Sequence, residues 1–579
     1  MSAMKKMNTA VRVICLTLFL SAFSFRAAAE DFTNAIHAYL QQCVHAEIPN
    51  GCIVIGMVDE HGSRVVSCGT LDNGTDQEAN GDTVFGLHSM TGTFTSMLLQ
   101  DMVERGEMEW DDPVAKYLPK SVKLPTCHGK EITLRHLVTE TSGLPDFRDM
   151  PDRKRADNPY PDLTVEKMYA FVSGCELTND PGTKHLHGSV DKGLLGQAMA
   201  LMAGTNYESL VVDRICRPLK MDSTRFTLTP ELKSRLANRH NQLGYALPPL
   251  DCGVLNPLAG LFSTANDLLK FVSAILGFTP SGPAGFMEKS RVSLHEASPG
   301  EGIVYTGGGW FGCRALVGFD KTRRRGVVIL STSANLMRNF GDRLLESEWQ
   351  SDRRLAETNV SAAILDSCAG QYRPTNDPAG HTIGVWRNGG WLFAQSIGSG
   401  SSPDEVLLLP PIVAELVPQS ETRFFERLTG RPVVFSRNTR GQATGVTINC
   451  QGKLFSFQKT SDQPPKAPEP VKPRVAIKLD PKLLDAIVGH YEFPAKAPFP
   501  TGAKVAIWRE GDQLVGQVWG ENAVRGAFDI YPESETNFFI KLNGAQLTFL
   551  KNDKGEVTAV IHHSSHAGVP DIEGKKLKE

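Results

Sequence analysis

The chain has 579 residues, of which 41% are hydrophobic and 22% charged, and its formal net charge is −3. This composition excludes an intrinsically disordered chain, and the balance of charge argues against a nucleic-acid-binding surface. The length exceeds what one hydrophobic core usually holds, so we predict several domains. The one dense basic run, Asp320–Gly326, lies between two apolar runs and is interpreted as a solvated hairpin turn.

The N-terminal residues have the pattern of a cleavable export signal. Lys5, Lys6 and Arg12 precede the short apolar run VICLTLFLSAFSF, and the sequence AAAE offers a small-residue cleavage site after Ala29. The apolar run is too short to span a bilayer. We therefore predict that residues 1–29 are removed, that the mature protein is periplasmic or secreted, and that it has no transmembrane segment.

Residues 31–350 predict one domain that mixes strands and helices. The stretch CIVIGMVDEHGSRVVSCG consists of two β-type runs joined by a polar turn, which is typical of a hairpin. Apolar residues recur at helical spacing in TGTFTSMLLQDMVERG and in TANDLLKFVSAILG, where Thr264 or Asn266 is a candidate N-cap. The strand-like runs RALVGFD and GVVILSTS end the region. This order predicts one sheet built from both ends of the domain and covered by a helical insertion.

A repeat follows the mixed domain. LDSCAGQY recurs as LDAIVGHY, VWRNGGWLFAQ as IWREGDQLVGQ, and PQSETRFFERL as PESETNFFIKL, in the same order. Hairpin turns and alternating apolar residues predict two copies of one β-rich module, at residues 360–459 and 475–579. The proline-rich stretch between them, residues 460–474, is interpreted as an extended linker.

Ser89 has the position of a catalytic nucleophile, directly before an apolar helix. A serine hydroxyl needs a base within hydrogen-bond reach, and a helix N-terminus adds amide donors for a developing oxyanion. A lysine three residues later would project from the same side of the helix as the serine. Gly92 stands at that position and has no side chain.

The stretch DTVFGLHSMTGTFTSMLLQDMVERGEMEWDDPVAKYLP resembles the active-site region of the serine β-lactamase and penicillin-binding protein superfamily, in its esterase-like branch. ITLRHLVTETSGLPDF, AGLFSTANDLLKF and GGGWFGCRALVGFDKTRRRGVVILS are similar to further segments, so the resemblance covers most of residues 31–345. It implies an α/β fold of the β-lactamase/transpeptidase type, with an antiparallel sheet flanked by helices and a helical subdomain, followed here by two small all-β domains. It also implies an acyl-serine intermediate and amide or ester substrates, including β-lactams and peptidoglycan-like peptides.

The resemblance assigns roles to few catalytic positions. Ser89 matches the nucleophile, and Gly92 replaces the lysine of the family. The tyrosine-x-asparagine motif falls on His187, Gly188 and Ser189, and the lysine-threonine-glycine motif falls on Thr306, Gly307 and Gly308, or one residue earlier. The substrate-binding positions implied in this way are Ser189, Thr306, Gly307 and Gly308.

Two functional interpretations follow from these replacements. In the first, His187 accepts the proton of Ser89, and the protein is a serine hydrolase with a substitute base. In the second, activity is weak or lost, and the protein is a binding pseudoenzyme or a structural envelope protein. The sequence leaves open whether a lysine from elsewhere, such as Lys184 or Lys192, fills the space beside Gly92. His88, His185 and Lys192 fall on no catalytic position of the family pattern.

No cofactor or metal is expected from the sequence. The 11 cysteines lack C-x-x-C spacing, and adjacent histidines in the stretch HHSSH, such as His562 and His563, would point to opposite faces of a strand. The expected partner is a small-molecule or peptide acyl substrate, with a cell-wall component as one candidate source.

Overall fold

The chain forms two compact units, one of residues 1–46 and 338–469 and the other of residues 47–337 and 470–579. The computed structural model describes isolated residues within 33–44, 155–158, 295–296 and 341–345, together with 51–146, 160–186, 188–241, 244–279, 303–310, 312–332, 358–375, 382–397, 414–426, 431–450, 453–464, 474–495, 502–519, 526–563 and 571–577. The predicted export signal lies outside these residues. Across the described residues, no helix has the length and apolar character needed to cross a membrane.

The sheet of the second unit contains six strands in the order β2-β1-β10-β9-β8-β7. β1 pairs antiparallel with β10, with Ile53 opposite Ser331, so the sheet is built from both ends of the domain as the sequence predicts. The basic run forms the exposed turn between β9 and β10, also as predicted. The strands are β1 (Cys52–Asp59), β2 (Gly62–Gly69), β7 (His295–Glu296), β8 (Ile303–Trp310), β9 (Cys313–Asp320) and β10 (Arg325–Ser331).

Between β2 and β7, the described residues include helices and short strands. The helices are α1 (Thr91–Glu104), α2 (Leu134–Val138), α3 (Val165–Ser173), α4 (Ser189–Ala203), α5 (Tyr207–Val211), α6 (Pro230–Ser234), α7 (Asn256–Ala259) and α8 (Ala265–Ile275). A 3-10 turn at His88–Met90 precedes α1. The short strands β3 (Phe85–Gly86) and β6 (Phe262–Ser263) pair with each other, as do β4 (Arg239–His240) and β5 (Ala246–Leu247).

Helix α8 packs directly on the central strands. Thr264 is its N-cap and accepts a hydrogen bond from the amide of Asp267, which decides between the two predicted caps. Glycine at position 326 of β10 makes the close approach possible, because a Cβ there would lie 2.1 Å from Cγ1 of Val272. Every residue of β1 is buried.

The two C-terminal modules are closed eight-stranded antiparallel sheets, each preceded by a short helix. The predicted fold class, an antiparallel α/β domain followed by two small all-β domains, is confirmed. The first module contains α9 (Ala362–Cys368), β11 (Gly370–Pro374), β12 (Thr382–Asn388), β13 (Trp391–Ile397), β14 (Ala414–Pro418), β15 (Arg423–Glu426), β16 (Pro432–Arg437), β17 (Ala443–Cys450) and β18 (Lys453–Ser461). The second contains α10 (Pro481–Ile487), β19 (Gly489–Phe493), β20 (Ala503–Glu510), β21 (Gln513–Trp519), β22 (Phe528–Pro532), β23 (Asn537–Phe539), β24 (Gln546–Lys551), β25 (Val557–His563) and β26 (Ile572–Lys576).

The sequence repeat corresponds to a repeated set of contacts. A buried tyrosine donates its hydroxyl to the last turn of the helix in each module, Tyr372 to the carbonyl of Cys368 and Tyr491 to that of Ile487, both at 2.6 Å. In the stretch HHSSH, the ring of His563 is held by Asp571 and Thr548 at 2.8 and 2.9 Å, which favours a structural role for it.

The second module contacts the mixed α/β domain within one compact unit. The guanidinium of Arg155 binds both carboxylate oxygens of Asp529, at 3.0 and 2.9 Å, and the amide of Ala156 donates to the carbonyl of Ala527 at 2.8 Å. The ring of Tyr245 stacks on Phe539, with centroids 5.6 Å apart. These contacts combine a backbone bridge, an ion pair and an aromatic stack, which together define a specific interface.

We predict that Tyr245→Ala loosens this interface. The substitution removes the aromatic stack on Phe539 and the hydrogen bond from the tyrosine hydroxyl to the carbonyl of Arg474, at a cost of about 2–4 kcal/mol. Hydrogen exchange of the amides at residues 156 and 526–540 should become faster. Arg509→Ala, which breaks the Arg509–Asp485 pair inside the module, is the control and should leave the Ala156 amide protected. Unchanged exchange of Ala156 in Tyr245→Ala would contradict the prediction.

Candidate active site

Ser89 lies in the 3-10 turn that leads directly into α1. The turn is anchored by backbone hydrogen bonds from Leu87 to Leu261 at 2.8 Å and from Met90 to Leu87 at 3.2 Å. His88 and Met90 are buried, whereas Ser89 is partly exposed. The fold therefore presents the hydroxyl-bearing residue of the turn to solvent, at the start of a helix whose first amides are available as donors.

His88 holds the turn in an unusual backbone conformation. Its φ of 49° lies in the left-handed region, which is uncommon for a residue with a side chain. The buried imidazole contacts Sγ of Cys313 on β9 through Nε2, and among the described residues Nδ1 has no hydrogen-bond partner. Burial, reinforced by the charges of Arg239 and Arg314, lowers the pKa of His88 to about 3. The ring is therefore neutral at physiological pH. Its contact with Cys313 joins the turn to β9.

Strand β8 passes directly against the Ser89 turn. A Cβ added to Gly308 would lie 2.2 Å from the carbonyl oxygen of Leu87 and 2.7 Å from the amide nitrogen of Ser89. Thr306, two residues earlier, is buried and shares a 2.6 Å hydrogen bond with the hydroxyl of Thr93 on α1. Gly307 faces the other way and is exposed. The structure therefore brings Thr306 and Gly308 to the turn, and only a residue without a side chain fits at position 308.

Lys192 fills the space beside Gly92. A Cβ built on Gly92 would lie 3.5 Å from Cε of Lys192, and no other atom beyond α1 itself comes within 4 Å among the described residues. Lys192 projects from α4 and is only 4% exposed. Because Ser89 and Gly92 are three residues apart, they share one side of the chain at the start of α1. A lysine side chain from another helix is thus packed against the Gly92 position.

The ammonium group of Lys192 is surrounded by the end of α2 and the loop that follows it. Nζ donates to the carbonyl of Val138 at 2.7 Å and lies 3.9 Å from Oε1 of Glu140. Burial lowers the pKa of Lys192, and the charges of Glu140 and Asp191 oppose that shift. Since burial is the largest cause, the neutral amine is more accessible here than for a lysine in water.

The neighbouring residue on α4, Asp191, ties the same loop to the helix. Ser142 donates its hydroxyl to Oδ1 of Asp191 at 2.6 Å, and both side chains are buried. Burial raises the pKa of Asp191 to about 8, although Ser142 and Lys192 act in the opposite direction. The loop at residues 138–142 therefore contacts both Asp191 and Lys192 and holds the amine of Lys192 in position.

His187 is the predicted partner of Ser89. It lies outside the described residues, so the Ser89–His187 pair stays a prediction. Ser189 begins α4, and only its backbone is described. Lys184 and His185 are exposed, with Nε2 of His185 3.6 Å from Glu140. Of the lysines left open by the sequence, Lys192 is the one placed beside Gly92.

The sequence offers Lys192 as one of two candidates for the space beside Gly92, and a local spacing favours it over Lys184. Ser189, Val190, Asp191 and Lys192 repeat the serine-x-x-lysine spacing at the start of α4. In the helix after Ser89, the same spacing is interrupted by Gly92. A lysine at the start of a second helix becomes relevant only when the packing of α4 beside α1 is known.

The antiparallel sheet, the helices that cover it and the position of Ser89 at a helix start define a domain of the β-lactamase/transpeptidase fold class. The family model described as "Beta-lactamase" matches residues 51–347, which is more than half of the chain. The chain therefore belongs to the beta-lactamase family.

Individual relatives cover only part of the chain. The D-alanyl-D-alanine-carboxypeptidase/endopeptidase AmpH of Escherichia coli K12 is 30% identical over 198 residues, 34% of this chain and 49% of that protein. A human protein named putative beta-lactamase-like 1 is 27% identical over 242 residues, 40% of this chain and 47% of that protein. The chain thus spans about half the length of these curated relatives.

Similar folds occur among solved structures. One is a β-lactamase/D-alanine carboxypeptidase from Yersinia pestis, complexed with citrate, with a TM-score of 0.45 and 21% identity. The match covers 52% of this chain and 93% of the Yersinia pestis chain. The octameric penicillin-binding protein homologue from Pyrococcus abyssi has a TM-score of 0.46 and 18% identity, and covers 74% of this chain and 99% of its own.

We predict opposite effects of alanine at two glycines of the site. Gly308→Ala should lower the free energy of unfolding by about 1–3 kcal/mol, because the new Cβ overlaps the Ser89 turn. Gly92→Ala should leave stability unchanged or raise it by up to about 1 kcal/mol, because its Cβ meets only ordinary contact distance and alanine favours helix. Urea unfolding of both variants tests this. Equal stability of the two variants would contradict the overlap at Gly308.

We predict that Asp191 makes the protein less stable as the pH rises. In the folded protein Asp191 keeps its proton up to a pKa of about 8, whereas an unfolded aspartate ionises near its ordinary pKa of about 3.9. The folded state therefore binds more protons between these values, and the free energy of unfolding declines as pH increases through this window. Asp191→Asn, which retains an acceptor for Ser142, should flatten that decline.

Urea unfolding across this pH window measures the effect. The matched control is Asp111→Asn, because Arg135 lowers the pKa of the exposed Asp111 and its removal cannot flatten the decline. Parallel stability curves for Asp191→Asn and the wild type would contradict the assignment.

Proposed function

We propose that the protein is an exported serine hydrolase of the beta-lactamase family that forms an acyl-enzyme on Ser89 and uses Lys192 in place of the lysine missing at Gly92. The observation that supports this proposal is the position of Lys192, with Cε 3.5 Å from where the side chain of Gly92 would begin. The basic N-terminal residues and short apolar run support export.

Lys192 has the surroundings that a lysine base requires. A neutral amine has two N–H donors and one lone pair, so Nζ can donate to the carbonyl of Val138 and still accept a proton. Burial lowers the pKa of Lys192 and increases the fraction of this neutral form. Glu140, 3.9 Å away, then stabilises the ammonium that forms when the proton of Ser89 arrives.

The remaining groups around Ser89 suit an acyl-transfer reaction. In the first step the hydroxyl oxygen attacks the carbonyl carbon of an amide or ester, and its proton passes to Lys192. The amide of Ser89, beside the backbone of β8 at Gly308, is placed to donate to the oxyanion. Collapse expels the amine or alcohol, which takes the proton from Lys192, and water then hydrolyses the acyl-serine.

The proposed substrates are small amides, esters or peptides. The names of the relatives include a D-alanyl-D-alanine carboxypeptidase/endopeptidase and β-lactamases, which act on acyl compounds of this kind. A peptidoglycan-like peptide or a β-lactam is therefore the proposed substrate class, and a cell-wall component is the proposed natural source.

A second candidate function is binding of such ligands without turnover. The observation that favours it is the hydrogen bond from Nζ of Lys192 to Val138, together with the nearby Glu140, because both stabilise a permanently charged ammonium. In that case Lys192 would serve as a fixed donor. Ser89 would then lack a base unless His187 supplies one.

Covalent labelling separates these functions. Intact-protein mass spectrometry after incubation with a fluorophosphonate, and separately with a penicillin, should show one adduct on the wild type and none on Ser89→Ala. Loss of the base in Lys192→Met should slow labelling by about 10²–10⁴-fold. Lys184→Met, which removes an exposed lysine, is the control and should label at the wild-type rate, whereas His187→Ala tests the alternative base.

The lysine can also be returned to α1. The double variant Gly92→Lys/Lys192→Met removes the amine from α4 and restores it at the family position, and it should regain labelling relative to Lys192→Met. If the wild type folds but forms no adduct, the hydrolase proposal fails and binding without turnover is the candidate function that remains. Slow labelling confined to His187→Ala would instead identify the histidine as the base.

A further inference from the structure

We propose a binding site for a borderline-soft divalent metal ion, of which Zn²⁺ is the representative, formed by Cys127, His128 and Asp180 on the mixed α/β domain. Among the described residues, this is the cluster of histidine, cysteine and carboxylate side chains whose ligand atoms all lie within 4.8 Å of one another. The proposal is independent of the chemistry at Ser89.

A tight turn places two of the ligands side by side. Cys127 and Lys130 exchange backbone hydrogen bonds of 3.4 and 2.9 Å across a two-residue connection. His128 and Gly129 in that connection have φ values of 48° and 75°, which is the left-handed pair that such a turn requires. The strained histidine folds its ring back, so that Nδ1 lies 3.5 Å from Sγ of Cys127.

The third ligand comes from a different segment. Oδ1 of Asp180 lies 2.7 Å from Nδ1 of His128. Asp180 is held by its own turn, in which the amide and hydroxyl of Thr183 donate to its carbonyl, and the next residue but one, Gly182, donates its amide to Thr141. The carboxylate is therefore placed by the fold beside the Cys127–Lys130 turn.

The spacing of the donors suits a tetrahedral metal. With Zn–S near 2.3 Å and Zn–N near 2.0–2.1 Å, two ligands of one ion lie about 3.3–3.6 Å apart. The 3.5 Å separation of Sγ and Nδ1 matches this value, and the Nδ1–Oδ1 pair must open by less than about 1 Å. A thiolate, an imidazole and one carboxylate oxygen select Zn²⁺ or Co²⁺ over Ca²⁺ and Mg²⁺, which prefer oxygen ligands alone.

Lys130 defines how the carboxylate can be used. Its Nζ lies 2.8 Å from Oδ2 of Asp180, on the oxygen that His128 does not contact. This contact occupies Oδ2 and leaves Oδ1 as a single-oxygen ligand. The same ammonium repels a cation, so the lysine limits the affinity of the site.

The site opens to solvent on one side. His128 is 83% exposed and Asp180 is 21% exposed, so an ion can enter without unfolding. Three protein ligands leave a fourth position for water or for a donor from another molecule. The metal would also join the Cys127 turn to the segment that leads into α4, through the hydrogen bonds of residues 182 and 186 to residues 141 and 140.

Titration of the full-length reduced protein with Co²⁺ tests the proposal. The wild type should bind one equivalent with a sulfur-to-cobalt charge-transfer band, and Zn²⁺ should displace it in competition with a chromophoric chelator. Cys127→Ser should lose the band, and both Cys127→Ser and His128→Gln should weaken Zn²⁺ binding by at least about 10-fold. Lys130→Met should strengthen it, because the competing charge is gone.

Two matched variants control for nonspecific binding. Cys175→Ser removes a half-buried cysteine elsewhere in the domain, and His185→Gln removes an exposed histidine, and neither should change the affinity. Circular dichroism confirms folding of each variant. A missing thiolate band in the wild type, or equal Zn²⁺ affinity in wild type and Cys127→Ser, would overturn the proposal, and so would Lys130→Met binding more weakly.

Discussion

The antiparallel pairing of β1 with β10 is the constraint on which the candidate site depends. It joins the beginning and the end of the mixed α/β domain in one sheet, and β9 and β8 are then added in order beside β10. In this position β8 passes over the turn before α1, so closely that Gly308 admits no side chain next to the amide of Ser89. The turn itself is held from below by His88 and Cys313 of β9. The position of Ser89 therefore depends on the sheet as much as on the helix that follows it.

The relation between Gly92 and Lys192 changes how the missing motif residue is interpreted. Glycine in a helix costs about 1 kcal/mol relative to alanine, so its presence at the start of α1 has no local benefit. In the packing, the side chain of Lys192 from α4 lies beside this glycine, 3.5 Å from where a Cβ would stand. A buried lysine also has to be solvated by protein groups, and Val138 and Glu140 provide a carbonyl and a carboxylate. The family chemistry thus has a candidate base even though the family spacing is lost.

The two C-terminal modules share a fold and differ in their surfaces. Both keep the tyrosine that caps the preceding helix, Tyr372 and Tyr491. The second module also has Tyr531, which stacks on Phe539 and lies under the ammonium of Lys541, whereas the aligned position of the first module is Val417. The two modules therefore share these interior contacts, and the second presents the aromatic surface that meets Tyr245 of the mixed α/β domain. A closed sheet tolerates such changes because its outward-facing side chains do not contribute to its core.

Local patterns in the sequence determined those features whose causes are also local. Hydrogen bonds and apolar spacing within a short stretch of chain predict the β1–β2 hairpin, the start of α8 at one of two candidate caps, the basic turn after β9, the duplicated modules and the placement of Ser89 at a helix start. Only the tertiary structure decided which lysine stands beside Gly92, and only it placed Asp180 against Cys127 and His128. These contacts join segments that are far apart in sequence, and their distances depend on how helices and loops pack, which no spacing along the chain encodes.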